Sequence, residues 1–115
     1  MNEKVNCSEK FTYETVCGGV KIDNCFFVAS RYYKPNNLCL SISNDSGIVE
    51  VCTKNNNEKS RDDIIKIDKD NIHIIDFLIK MGIIHSQMVM SEYCYDCWLR
   101  SYELTEKGLE LFKGI

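Results

Sequence analysis

The chain has 115 residues and a mass of 13.3 kDa, with 44% hydrophobic and 27% charged residues, enough for one core and too little for two. Fourteen Lys and Arg against seventeen Asp and Glu leave a net charge of −3, which argues against unaided nucleic-acid binding, because phosphate neutralisation calls for a basic surplus. No apolar run approaches the roughly 20 residues of a membrane span, and the opening MNEKVNCSEK lacks the apolar stretch of a secretion signal. A cytoplasmic protein with no membrane partner is the expectation.

In chain order, the first half reads as hairpins. Phe11, Tyr13 and Thr15 alternate with Thr12, Glu14 and Val16, and Gly18-Gly19 offers a tight connection into a strand over Val20–Ser30. Tyr32–Asn37, with the only proline, reads as a loop. Leu38, Leu40 and Ile42 share one face of a third strand. Asn44-Asp45-Ser46-Gly47 supplies turn chemistry, and Ile48–Lys54 returns as a fourth strand. The wholly polar Asn55–Asp63 reads as a mobile surface loop that buries little.

Ile64–Ile67 predicts a short strand, followed by a helix capped by Asp68 or Asp70. Its buried stripe is Ile72, Ile75, Leu78 and Ile79, widened by Ile74 and Met81, and Gly82 stands at the C-cap. Two further strands, Ile83–Met90 and Glu92–Leu104, precede a closing helix over Thr105–Phe112. The expected architecture is α+β: an antiparallel sheet of about five to seven strands, one central helix, and a short C-terminal helix, in one domain over residues 1–115.

Seven cysteines are an odd count at irregular spacing, and buried free thiols are the expectation. Cys94-Tyr95-Asp96-Cys97 has the spacing of zinc knuckles and thiol oxidoreductases, but no second such pair exists to complete a metal site. On a single strand, positions three apart face opposite ways, so the two sulfurs should not converge. His73 and His85 lack a nucleophile partner at a recognisable spacing, and one is expected on the surface and one partly buried. Asp62, Asp63, Asp68 and Asp70 are interleaved with Lys59, Arg61, Lys66 and Lys69, which suits a solvated loop and a helix start better than a cation site. With no phosphate-cradling loop, nucleophile elbow or HExxH motif, no catalytic, cofactor or metal residue is assigned. A chain of this kind acts by binding. Protein interfaces draw on aromatics and Arg, which selects Tyr32, Tyr33, Tyr93, Tyr95, Trp98 and Arg100. Asp62 and Asp63 add accessible paired carboxylates that suit a basic surface of a partner.

Two resemblances accompany this reading. Tyr102–Phe112 resembles the segment that leaves the wing of winged-helix proteins and opens their last helix, and Phe77–Ile84 resembles a helix end preceding a wing. From Asn37 to Leu104 the chain is similar to a family of small phage and mobile-element proteins of unknown function. The motifs carrying it are Asn37-Leu38, Asn44–Gly47, Thr53-Lys54-Asn55, Ile67–Asn71, Lys80-Met81-Gly82 and Tyr93-Cys94-Tyr95. Thirteen Ile, eleven Lys and ten Asn against one Ala suit an AT-rich mobile element. These resemblances imply a non-enzymatic inhibitor of a host protein or ribonucleoprotein effector complex, of the anti-CRISPR kind. The alternative they leave is a winged-helix DNA-binding regulator.

Overall fold

The computed structural model describes residues 4–15, 19, 21–94 and 96–115. Eight strands and two short helices follow in chain order: β1 (Asn6–Cys7), β2 (Phe11–Glu14), β3 (Lys21–Arg31), β4 (Leu38–Asn44), β5 (Gly47–Val51), β6 (Ile64–Asp68), α1 (Ile72–Lys80), β7 (Ile84–Cys94), β8 (Cys97–Leu104) and α2 (Glu106–Leu111). All strand pairs are antiparallel. The strands divide into two sheets where the sequence predicts one sheet of five to seven. In the first, β1 and β2 lie end to end along β3, and the order continues through β4 to β5. The second has the order β6-β8-β7. The proposed Gly18-Gly19 connection, with Val16 and Val20, lies largely outside the described residues.

A single buried cluster unites the sheets. Cys25, Phe27 and Ala29 from β3 meet Leu40 and Ile42 from β4, Ile65 and Ile67 from β6, and Tyr102 and Leu104 from β8. Helix α1 contributes Ile74, Ile75, Phe77 and Leu78. Phe77 is the hub of its aromatic part, with its ring centroid 4.9 Å from Tyr13, 5.7 Å from Phe11 and 6.2 Å from Phe27. The buried stripe is thus rotated from the expected one. Ile72 is 59% exposed and Ile79 half-buried, while Phe77 takes the inward place. Burial of the larger ring outweighs that of Ile72, since aromatic side chains bury the most area.

The helix starts later than expected. Asn71 is its N-cap, and Asp68 instead accepts a hydrogen bond from the Asp70 N–H at 2.9 Å, forming the turn before the helix. At the other end Gly82 adopts φ 74°, and Ile83 N–H donates to Leu78 O at 2.9 Å while Gly82 N–H donates to Ile79 O at 3.0 Å. That pair of bonds closes the helix through a left-handed residue, as its glycine allows. Helix α2 then locks onto this corner. Thr105 caps it by accepting from Gly108 N–H and donates its hydroxyl to Gly82 O. A side chain at residue 108 would bring its Cβ to 2.2 Å from Ile83 O, so only glycine fits.

Segment 55–63 is the main departure from expectation. It lies over the face of the second sheet turned away from the core and is held by side-chain amides. Asn37 donates to Asn55 Oδ1 and to Glu58 O, and accepts from Ser60 N–H. Asn55 donates to Pro35 O. Asn56, only 4% exposed, accepts from Lys66 Nζ at 2.7 Å and donates to Glu92 Oε2 at 3.2 Å. Lys66, itself 3% exposed, also lies 3.0 Å from Glu92 Oε1. Beneath this cover Leu99 and Ser101 are buried. A wholly polar sequence here builds a buried hydrogen-bonded network centred on Asn56, Lys66 and Glu92, although the Ser60 and Ser101 hydroxyls have no hydrogen-bond partner among the described residues.

Candidate functional site

The long β7–β8 hairpin carries the most exposed apolar surface among the described residues. Strand alternation separates its two faces. On the face toward the core, Ile84 pairs with Leu104 and Met88 with Tyr102, followed by Ser91 with Arg100 and Tyr93 with Trp98. Ile84, Leu104 and Tyr102 are buried, but the hairpin runs on past the core. Tyr93 is therefore 60% and Trp98 42% exposed. Their ring centroids are 5.3 Å apart, an aromatic pair in tilted contact. The Trp98 carbonyl accepts from Lys69 N–H at 2.9 Å, fixing the base of the overhang to the turn before α1. Arg100 is half-buried beside this pair and makes no ion pair with a described residue.

β7 is also an edge. Among the described residues nothing pairs with its outer side, and it is exposed from His85 to Ser91. Register shifts between Ile84 and Met88 and between Met88 and Met90 mark bulges. Met88, Val89 and Met90 at these bulges are each close to half exposed. No charged residue falls between Ile84 and Ser91, whereas edge strands commonly carry charges that discourage pairing.

The sequence-selected residues fall in two separate regions. Tyr93 and Arg100 share the hairpin face just described, while Tyr95 lies outside the described residues. Tyr32, Tyr33, Asp62 and Asp63 lie elsewhere, where the Tyr32–Asn37 turn meets segment 55–63. Tyr32 is anchored there, its hydroxyl bonded to Thr53 at 3.0 Å, and burial pushes its ionisation well above the usual tyrosine range. Tyr33 is 77% exposed, with Lys34 Nζ 5.8 Å from its ring centroid. Asp62 accepts from Lys59 at 2.8 Å and Arg31 at 3.0 Å, and Asp63 pairs with Arg61 at 2.7 Å. Hydrogen bonds from these cations hold both carboxyls below their ordinary range. The pair is exposed but already neutralised, so it offers a partner little free negative charge.

The cysteine spacing is resolved differently from the single-strand expectation. The chain reverses between Cys94 and Cys97, which are direct cross-strand partners. Their side chains therefore share a face, and Cys97 Sγ donates to Cys94 O at 3.1 Å. Cys25 and Cys52 are buried, and burial raises both thiols. Cys39 is half-buried and Cys7 exposed, so the expectation of buried thiols holds only in part. His73 is half-buried, 3.6 Å from Glu50 Oε1, and His85 is exposed. No three His, Cys, Asp or Glu side chains are grouped for a metal ion among the described residues. No helix there is long and apolar enough to cross a membrane.

A groove of about 650 Å³ opens where residues 5–11 pass α2. Phe11, Phe27, Met81, Ile83 and Leu111 give it an apolar lining, with Lys107 and Glu110 at the α2 side. Sequence reasoning found neither this groove nor the exposed Met88–Met90 bulge. Two methionines around a valine were the signal available for the bulge. No protein-family model, curated protein or solved structure matches the chain.

Proposed function

We propose that this chain is a non-catalytic protein-binding domain that docks through its β7–β8 hairpin. The observation that carries this reading is the continuity of one strand face from the buried Tyr102 and Leu104 out to the exposed Tyr93 and Trp98, with Arg100 between. A stiff, partly desolvated aromatic pair beside an Arg is the composition that dominates binding energy at protein interfaces. The uncharged outer edge of β7 adds unpaired backbone groups that can take up an extended segment of a partner. In its specific form the proposal is a stoichiometric inhibitor of a host defence complex, encoded by a phage or mobile element. The supports for that form are the family resemblance and the AT-rich composition.

The test is expression of the chain in bacteria carrying a defined CRISPR effector and challenged with a restricted phage. The parent is expected to restore plaques, and the double variant Tyr93→Ala plus Trp98→Ala to lose this while keeping its melting temperature. Failure of the parent against every effector would reject the inhibitor form. Equal activity of parent and variant would reject the hairpin as the binding face.

One observation favours the DNA-binding alternative. The strand order β6-β8-β7 is the order also found in a winged-helix sheet, although α1 is the single helix between β6 and β7 and strands rather than a helix precede β6. Its weakness is charge: α1 turns Ile72, Asp76 and Lys80 outward and pairs His73 with Glu50. Sub-micromolar binding to duplex DNA at ~150 mM salt, where non-specific contacts give only about 10⁻⁴–10⁻⁶ M, would put this reading first.

A further inference from the structure

We infer that Cys94 and Cys97 form a dithiol site that closes reversibly to a disulfide by exchange with a low-molecular-weight disulfide such as oxidised glutathione. Geometry carries the inference. Directly opposed residues of an antiparallel pair have Cα atoms about 4.5 or 5.5 Å apart, depending on the hydrogen-bonding pattern, and disulfides span Cα separations of about 4.4–6.8 Å. The register places Cys94 against Cys97 with two residues between them, so the sulfurs already share a face of the hairpin tip. Cys97 Sγ lies over the Cys94 backbone, 3.1 Å from its carbonyl oxygen.

Access separates this pair from Cys25 and Cys52, and cross-strand pairing separates it from the equally half-buried Cys39, whose partner is Ser30. Cys94 and Cys97 are half-buried at the overhanging tip, whereas Cys25 and Cys52 are sealed in the core, where burial raises the thiols and disfavours the reactive thiolate. Cys7 is exposed, but its cross-strand partner is Val28, so no thiol faces it across its strand pair.

The exchange balances in two steps. One thiol of the pair loses its proton, and the thiolate attacks a sulfur of the small disulfide, forming a mixed disulfide and releasing one small thiolate, which takes up the proton. The second protein thiol loses its proton and attacks the bonded protein sulfur, forming the Cys94–Cys97 bond and releasing the second small thiol. Two protein thiols are oxidised by two electrons, and one small disulfide is reduced to two thiols. The bridge closes the strand ends that carry Tyr93 and Trp98, and Trp98 is the only tryptophan in the chain.

The experiment treats reduced, full-length protein with oxidised glutathione, then blocks remaining thiols by alkylation and maps peptides by mass spectrometry. The expected product is an internal Cys94–Cys97 bridge without attached glutathione, losing two alkylatable thiols of the seven, with a shift in Trp98 fluorescence that dithiothreitol reverses. Cys94→Ser and Cys97→Ser should each instead accumulate glutathione on the remaining cysteine of the pair. Two free thiols at 94 and 97, under conditions that glutathionylate Cys7, would overturn the inference, as would persistent mixed disulfides at 94 or 97 in the parent protein. Mass is read without any binding partner, so this outcome is independent of the proposed docking function.

Discussion

Asn56→Ala tests the claim that segment 55–63 is part of the folded structure. The side chain is 4% exposed and joins three elements: Lys66 Nζ on β6 at 2.7 Å, Glu92 Oε2 on β7 at 3.2 Å, and the Glu58 N–H at 3.2 Å. A hydrogen bond to a charged group contributes about 1.5–3 kcal/mol net, and a neutral one about 1. Two reductions apply. Lys66 keeps Glu92 Oε1 at 3.0 Å and Glu58 O at 3.3 Å, and Glu92, one-fifth exposed, can recover water. The summed bonds would give at least about 4 kcal/mol, and these reductions bring the expected loss to about 2–3 kcal/mol. An unfolding entropy of about 2.1 cal/mol/K per residue makes each kcal/mol worth about 4 °C in a chain of this length, so the melting temperature should fall by about 8–12 °C. The control is Glu58→Ala, whose side chain is exposed and whose bonds in this network are made by its backbone; it should stay within about 0.5 kcal/mol. Urea unfolding followed by Trp98 fluorescence and by circular dichroism gives both values. Equal stability of the two variants would mean that the segment does not seal the sheet, and the network would lose its assigned role.

Tyr13 is 2% exposed, and its hydroxyl has no hydrogen-bond partner among the described residues. Tyr13→Phe should therefore raise stability by about 1 kcal/mol in urea titration, because it removes an unpaired buried polar atom. Burial first, then Glu50, pushes the Tyr13 ionisation up to about 12; a raised folded value means stability is held below about pH 10 and declines from there toward pH 12, and the Phe variant should show a shallower decline. Gly108→Ala should cost more than about 2 kcal/mol, read by thermal melting, since the new methyl meets the Ile83 backbone oxygen and not a movable side chain. Asp68 is held below its ordinary 3.8 chiefly by the Asp70 N–H and then by Lys54, so its contribution is present above about pH 4 and lost as acid is added; Asp68→Asn should flatten the acid limb of a stability–pH profile. Reversing Asp62 and Asp63 to Lys removes exposed ion pairs to Lys59, Arg31 and Arg61, each worth about 0–1 kcal/mol, and should leave hairpin-mediated binding within about twofold by titration.

The parts of this fold that announce themselves in sequence are those where local chemistry decides. Gly47 takes φ 125° in the expected turn, Gly82 takes φ 74° at the expected helix end, and Thr105 caps the expected last helix. Errors arose where tertiary context decides. Helical spacing admits two phases of the α1 stripe, and only the aromatic cluster of Phe11, Tyr13 and Phe27 selects the one that buries Phe77. The β7–β8 reversal sits between Cys94 and Cys97 without a glycine; Asp96 adopts φ 62° there, a conformation that Asp tolerates better than most residues. Expecting a strand break at Ser91 placed both cysteines on one strand and gave the wrong relation between their side chains. Of the site, the aromatic and Arg composition was legible, and Tyr93 with Arg100 does share a face. The local cations Lys59 and Arg61 beside Asp62 and Asp63 were visible in the sequence, but the second partner of Asp62, Arg31, was not, because it is distant in sequence.

The same alternation that exposes Tyr93 and Trp98 turns Glu92 to the opposite side of β7, into the grip of Lys66 and Asn56. Adjacent residues of one strand therefore do opposite jobs: Glu92 ties the hairpin down, and Tyr93 projects from it. A polar seal suits this arrangement better than an apolar one would, because directional bonds fix the position of the strand as well as bury it. An aromatic pair on a strand clamped in this way is ordered before any partner arrives, and less side-chain and backbone freedom remains to be lost on docking. The buried Lys66–Asn56–Glu92 network and the exposed aromatic face are on this argument one device. Loosening the seal through Asn56 should weaken binding at the hairpin even though Asn56 itself lies on the other side of the sheet.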